Sequence, residues 1–246
     1  MQDAINQLGS DKASTRIAGV YALADIADRY KDSYRQRVVD ILCGYLRSDR
    51  SSYAPDRSGQ PVWDASGHLV ESVASDEAVE STILSVMRDR LRKERKDDKT
   101  GKTTVRQTVD DDQLWCDCEF DLHEATFHEA VDLTYSTFEC VPNFRGTKFE
   151  RRADFFGTTF ARGAHFFGAT FACGAYFRGA TFACGAYFFW AEFRASAAFS
   201  GIQGRPSFRF KECKFNEIYR GTYEWGPIPI PKDNDELPAG AVWEDF

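Results

Sequence analysis

The C-terminal half of the chain places a large apolar side chain at alternating intervals of five and six residues. The series is Leu122, Phe127, Leu133, Phe138, Phe144, Phe149, Phe155, Phe160, Phe166, Phe171, Phe177, Phe182, Phe188, Phe193 and Phe199. Gly204 interrupts it once, and Phe210 and Phe215 resume it in phase. A period of eleven residues held over so many copies is typical of a solenoid of stacked repeats, not of a compact enzyme core.

A small residue stands two positions before most of these large ones. The small residues are Ala125, Ser136, Thr147, Ala153, Thr158, Ala164, Ala169, Ala175, Ala180, Ala186, Ala191 and Ala197. Residues two apart in an extended chain point to the same side, so the pattern predicts that large and small side chains share an inward face. A helix would need apolar spacings of three and four, which the pattern lacks.

This unit of Leu or Phe with a small residue two places earlier resembles the pentapeptide-repeat family over roughly residues 116–215. The resemblance implies a right-handed, four-sided β-helix with one repeat per side. Because every second repeat here has a sixth residue, we expect about 22 residues per coil, with Phe166 below Phe188 and Phe167 below Phe189. Glycine and proline near Gly204 predict a loosened coil or a short loop there.

The N-terminal part is predicted to be helical. Two apolar stripes at helical spacing and a third helix starting near Ser75 indicate this. The first stripe contains Ile17, Val20, Tyr21, Ala24 and Ala27, and the second contains Val38, Ile41, Leu42, Tyr45 and Leu46. The third helix carries Val79, Ile83, Val86 and Met87. Residues 48–74 are rich in Ser, Gly, Pro and Asp, which favours a surface loop. The predicted fold class is α+β, with a helical domain over 1–96, a linker over 97–115, the β-helix over 116–216 and a C-terminal cap or tail over 217–246.

The N-terminal segments 4–12, 16–23 and 40–47 resemble the helical region that precedes the repeats in actinobacterial pentapeptide-repeat proteins. Such relatives often carry transmembrane helices upstream, whereas this chain has no apolar run long enough to span a bilayer and opens with no secretion signal. Seven cysteines, an odd number, favour a reducing compartment. We therefore expect a cytoplasmic protein, membrane-associated if the natural chain has an upstream transmembrane segment.

Candidate chemistry is sparse. The best acid/base cluster falls on outward positions of the first coil, where solvated surface is the simpler interpretation: His123, Glu124, His128, Glu129 and Asp132. Cys118 and Cys140 share one column, so a redox pair is geometrically possible, although plain corner thiols are expected. The histidines and cysteines lack metal-ligand spacing, and no nucleotide-binding or hydrolase motif occurs. No catalytic, cofactor-binding or metal-binding residue is assigned, no small-molecule substrate is expected, and the protein is predicted not to be an enzyme.

Charge is distributed unevenly along the repeats. The best understood members of the resembling family imitate DNA and inhibit type II topoisomerases, a role that requires an acidic surface. Here acids gather in the first coil, bases dominate the later coils, and the net charge of −7 is mild for this length. A DNA-mimicking regulator of gyrase is thus the alternative function, and direct DNA binding is not expected because basic residues alone indicate it only weakly.

Large rings also fall on positions that should face solvent. They are His165, Phe167, Tyr187, Phe189 and Trp190, with Arg145 and Arg209 expected in the same column as Phe167 and Phe189. Outward aromatic residues stacked into a patch indicate an interface, occupied by a protein partner, by a second copy or by the chain's own termini. The predicted function is a non-catalytic protein-binding scaffold.

Overall fold

The computed structural model describes residues 1–30, 34–50, 52–53, 63, 65–68, 71–72, 76–97, 99–204, 207–228, 230 and 236–246. Its N-terminal part contains α1 (Gln2–Leu8), α2 (Ala13–Tyr30), α3 (Arg35–Arg47) and α4 (Glu77–Leu91). None of the helices in these ranges is long and apolar enough to cross a membrane.

The helices pack largely through the predicted apolar stripes. In α4 the residues Val79, Ile83, Val86 and Met87 are all buried, as predicted. The prediction that Tyr21 belongs to the apolar stripe of α2 was wrong, because 54% of its surface is exposed. The buried side of α2 instead runs through Val20, Leu23, Ala24 and Ala27. Ser75, the predicted start of α4, lies outside the described residues.

Short antiparallel pairs accompany the helices. Ser52–Tyr53 pairs with Glu71–Ser72 within the predicted loop over 48–74, most of which lies outside the described residues. Arg95–Lys96 pairs with Thr103–Val105, and a short 3-10 helix follows at Asp111–Gln113, so the predicted linker has structure of its own.

The repeats form a solenoid of about four coils with four faces of parallel strands, consistent with the predicted β-helix. Face 1 contains Ala164–His165, Ala186–Tyr187 and Phe208–Arg209; face 2 contains Thr126–Phe127, Lys148–Phe149, Thr170–Phe171, Glu192–Phe193, Lys214–Asn216 and Val242–Glu244; face 3 contains Val131–Asp132, Ala153–Asp154, Ala175–Tyr176 and Ala197–Ala198; face 4 contains Thr137–Phe138, Thr159–Phe160, Thr181–Phe182 and Gln203–Gly204. Phe160 pairs with Phe182, and Phe171 pairs with Phe193, which confirms the coil of 22 residues.

Stacked phenylalanine rings fill the interior. Phe166 lies 4.9 Å from Phe188 between ring centroids, nearly parallel, and the other three faces carry similar columns. The small residues two positions earlier are buried beside these rings, which leaves the space that each ring occupies. Where the small residue is Thr147, its hydroxyl donates to the Leu122 carbonyl at 2.7 Å, so the buried polar atom is satisfied.

The break in the series at Gly204 has a steric cause. A Cβ atom there would lie 2.4 Å from the Phe182 carbonyl oxygen, and the residue adopts a φ of +96°, which favours glycine. Phe208 packs edge-on against Phe182 at 5.4 Å on the same side of the core. Gln203–Gly204 still pairs with Thr181–Phe182, so the coil register continues through Gly204.

Both ends of the solenoid are covered. At the first coil, buried Trp115 packs under Arg90 of α4, and its backbone N–H donates to the Arg90 carbonyl. At the last coil, Trp225 stacks on Phe199, and Val242–Glu244 adds a strand beside Lys214–Asn216. These contacts bury the backbone edges that an open stack of strands would leave unpaired.

Candidate functional site: the aromatic patch of face 1

The five predicted site residues come together on face 1 and its corner with face 2; we call them the aromatic patch. His165 pairs with Tyr187, and the ring of Phe167 stacks on Phe189 at 5.3 Å. Tyr187 lies 5.8 Å from Phe167 and 6.2 Å from Phe189, both nearly parallel. The 22-residue register therefore produces the ladder of rings that the sequence predicted.

The predicted rim of this patch needs one correction. Arg209 pairs with Tyr187, so it belongs to the column of His165 and not to that of Phe167. The column of Phe167 and Phe189 continues instead to Lys211, because one coil adds 22 residues and the backbone of Trp190 bonds to that of Lys211. Arg145 flanks the column at its other end, as predicted.

The ladder turns the edges of its rings toward solvent. Phe167 and Phe189 are parallel to within 17° at a centroid distance of 5.3 Å. Two rings lying flat on the surface side by side would need more room, so these rings stack along the solenoid axis, where coils repeat at about 4.8 Å. The ring edges, which carry the positive part of the aromatic quadrupole, are therefore the parts that a partner would meet.

Trp190 occupies an unusual backbone position. It has φ +57° at a corner where Glu124 and Glu212 of the same column have φ +58°, and where Gly146 and Gly168 stand in the coils between Glu124 and Trp190. Its indole N–H donates to Glu212 at 2.6 Å, yet 56% of its surface stays exposed. The positive φ is therefore a property of the coil corner, and the exposed indole is what distinguishes Trp190.

A groove of about 530 Å³ lies beside the rings. Its lining residues are Glu124, Asn143, Arg145, Gly146, His165, Phe167, Gly168 and Trp190. A Cβ atom on Gly168 would meet nothing within 4 Å, so the glycine corner is open. Burial lowers the pKa of His165, which keeps the ring neutral at neutral pH. The groove thus joins apolar rings to one arginine and one glutamate.

The helices and the C-terminal segment engage other parts of the solenoid. The helices contact the first coil, where Arg47 pairs with Asp121 at 3.0 Å and Arg88 pairs with Asp132 at 3.0 Å. The C-terminal segment contacts the last coil through Trp225. In the described ranges, the ring contacts of Phe167 are with His165, Tyr187 and Phe189. These contacts therefore do not show the chain's own termini covering the aromatic patch.

The acid-rich first coil is where the helical region docks. Besides the pairs of Asp121 and Asp132, Lys93 pairs with Glu139 at 3.1 Å, and Arg95 donates to the Gly157 carbonyl at 2.9 Å. The sequence pattern did not predict this docking. The available signal was that basic residues on α3 and α4 accompany an unusually acidic first coil.

A buried ionic cluster lies at the centre of this docking surface. Glu80 is fully buried; its carboxylate lies 2.5 Å from Arg50 and accepts backbone N–H bonds from Glu129 at 2.8 Å and His128 at 3.3 Å. The Arg50 guanidinium also contacts Asp76 at 3.4 Å and donates to the Thr126 carbonyl. The candidate acid/base residues His128 and Glu129 thus serve, through their backbones, as partners of Glu80.

We expect the contact of Asp132 with the arginines to stabilise the fold above about pH 4 and to weaken in acid. Burial raises the pKa of Asp132, but hydrogen bonds from Thr134 and the charges of Arg92 and Arg88 outweigh it and bring the pKa below the ordinary value of 3.8. A carboxyl group with a lowered folded-state pKa stabilises the fold above its unfolded-state pKa, and this contribution is lost as the pH falls through the folded-state pKa.

Melting temperatures measured against pH for the wild type and Asp132→Asn test this expectation. The wild type should be the more stable at neutral pH, and the two curves should converge once the pH has fallen below the folded-state pKa of Asp132, where both side chains are uncharged. Curves that stay parallel down to that pH would contradict it.

The seven cysteines are free thiols. Burial raises the pKa of Cys118 to about 12, so this thiol stays protonated and is a poor nucleophile. Cys140 donates to the Asp117 carbonyl at 3.2 Å. Within the part of the chain that the structure describes, no group of three or more His, Cys, Asp or Glu side chains could hold a metal ion.

Comparison with protein-family models matches residues 122–170 to pentapeptide repeats, with nine copies. Comparisons with curated proteins and with solved structures found no match. This match and the parallel strand register are consistent with a pentapeptide-repeat β-helix following the N-terminal helices. The expected likeness of the helices to actinobacterial relatives stays a prediction.

Proposed function

We propose that this protein is a non-catalytic scaffold that binds another protein through the aromatic patch of face 1. The observation that carries the proposal is the stack of half-buried rings at Phe167 and Phe189, beside Trp190, which is 56% exposed. Covering apolar surface contributes about 25 cal/mol per Å², and aromatic anchors dominate the energetics of interfaces. The seven free thiols favour a reducing compartment such as the cytoplasm.

The docking of the helices counts against the alternative of a DNA mimic. Such a mimic needs rows of free carboxylates that stand in for phosphates. Here Asp121, Asp132 and Glu139 of the first coil each pair with a basic side chain of the helical region. The later coils carry many arginines, so neither part of the solenoid supports a continuous acidic surface.

We expect the double variant Phe167→Ser, Phe189→Ser to lose the partner while keeping the fold. Each removed ring pair contributes about 0.5–1.5 kcal/mol, which is small beside the stacked interior. Affinity capture with quantitative mass spectrometry, with light scattering to follow self-association, measures the contact in both forms.

Phe156→Ser is the matched control, because Phe156 is a partly exposed ring on face 3, the opposite side of the coil. It should leave captured partners and assembly state unchanged. If the face 1 variant also leaves both unchanged, the patch is not an interface.

A further inference from the structure

We infer that the partner segment bound by face 1 is an acidic peptide, extended, with a carboxylate on either side of an apolar side chain. This inference rests on the proposed function and adds the chemistry of the partner to it. Three observations carry it: the charges of face 1, the lack of ion pairs for its arginines, and the orientation of its rings.

Face 1 is cationic within a chain whose net charge is −7. From the second coil onward the segments of this face contain no Asp or Glu: 141–145, 163–167, 185–189 and 207–211. The same segments carry Arg145, Arg209 and Lys211, and Arg162 stands at the neighbouring corner. Lys211 lies 3.6 Å from Glu212 in an ion pair whose two side chains are both exposed, so it remains accessible to a partner. Electrostatic complementarity therefore favours an anionic partner.

In the described part of the chain, the arginines of face 1 also lack the carboxylate partners that most arginines of faces 2 and 3 have; Arg151 is the exception there, donating to the His128 carbonyl. On faces 2 and 3 each of three arginines has a carboxylate of its own chain, in the pairs Arg152–Asp154, Arg178–Glu224 and Arg194–Glu192. Within the described ranges, Arg145, Arg162 and Arg209 form no ion pair. Their guanidinium groups, which bind carboxylates in a bidentate manner, are thus available to a partner.

The geometry of the ladder sets the spacing of the segment. Arg145 and Lys211 lie at the two ends of the column of Phe167 and Phe189, three coil steps or about 14 Å apart. An extended peptide covers that distance in about four residues. A segment with carboxylates about four residues apart would reach both cations, and an apolar side chain between them would rest on the ring edges, whose positive charge also suits carbonyl oxygens.

A single-stranded nucleic acid also combines negative charge with flat groups, but the ladder suits it poorly. Its bases bind by stacking on exposed ring faces. The rings of Phe167 and Phe189 stack on each other with their centroids 5.3 Å apart, which leaves no space for a base between them. The observations favour the acidic peptide, and the oligonucleotide becomes one arm of the test.

Fluorescence anisotropy of a labelled pentapeptide, with a glutamate at each end and a leucine in the middle, tests the inference on the full chain. The peptide should bind, weaken with added salt, and bind about tenfold more weakly to Arg145→Ser and to Lys211→Ser. Arg194→Ser, which removes an arginine paired on face 2, should bind like the wild type. A peptide with lysines in place of the glutamates should not bind.

The outcomes separate the inference from the proposed function. No binding of the acidic peptide, equal loss in the Arg194 control, or tighter binding of a labelled oligothymidylate would each overturn the acidic-peptide inference. If capture is still lost in Phe167→Ser, Phe189→Ser, the scaffold function stands with a different partner chemistry. If neither assay responds to face 1 variants, both the inference and the function fail.

Discussion

Replacing Phe171 with aspartate should lower the free energy of unfolding by more than about 4 kcal/mol. The Phe171 ring is fully buried, with Phe149 on one side at 4.9 Å and Phe193 on the other at 4.8 Å. Aspartate would remove both stacked contacts, leave a cavity and bury a carboxylate that has no partner. Since folding stability is only about 5–15 kcal/mol in total, most of the population should lose the native coil.

Chemical denaturation followed by circular dichroism measures this loss. Phe156→Asp is the control, because it makes the same chemical change on a partly exposed ring of face 3. It should cost far less, since its carboxylate remains in water. An unchanged denaturation midpoint for Phe171→Asp would show that the inward assignment of the column is wrong.

The solenoid could be predicted from the sequence because each coil repeats the same pattern of inward and outward side chains. A residue that is inward in one coil is inward in the next, so the columns of Phe166 and Phe171 follow from counting alone. The ladder of Phe167 and Phe189 followed for the same reason. The misplacement of Arg209 shows the limit of the rule, because an error of two positions moves a side chain to the neighbouring column.

The docking of the helices could not be predicted in this way. It depends on contacts between residues far apart in sequence, such as Glu80 with the backbone of Glu129, and no period links them. The placement of Tyr21 on the apolar stripe was wrong for a related reason, because the elements that pack against α2 determine which of its sides is buried. The positive φ at Trp190 was not predicted, although Gly146 and Gly168 at the same corner of the preceding coils are a sequence signal for it.

Glu80→Ala should destabilise the docking of the helical region by about 3–5 kcal/mol, the range expected when one member of a buried ion pair is removed. The substitution would leave the Arg50 guanidinium, 4% exposed, with Asp76 as its remaining carboxylate partner. It would also leave the backbone N–H groups of His128 and Glu129 without the acceptor that they use at the edge of the first coil.

Lys93→Ala is the matched control, because Lys93 and Glu139 form an ion pair across the same two parts of the molecule but in contact with water. Exposed pairs contribute about 0–1 kcal/mol, so this variant should unfold almost like the wild type. Thermal unfolding and limited proteolysis compare the two, and equal losses would contradict a special role for Glu80. With Glu80 removed, the first coil should become accessible to proteases and prone to association, because the helices are what cover its strand edges.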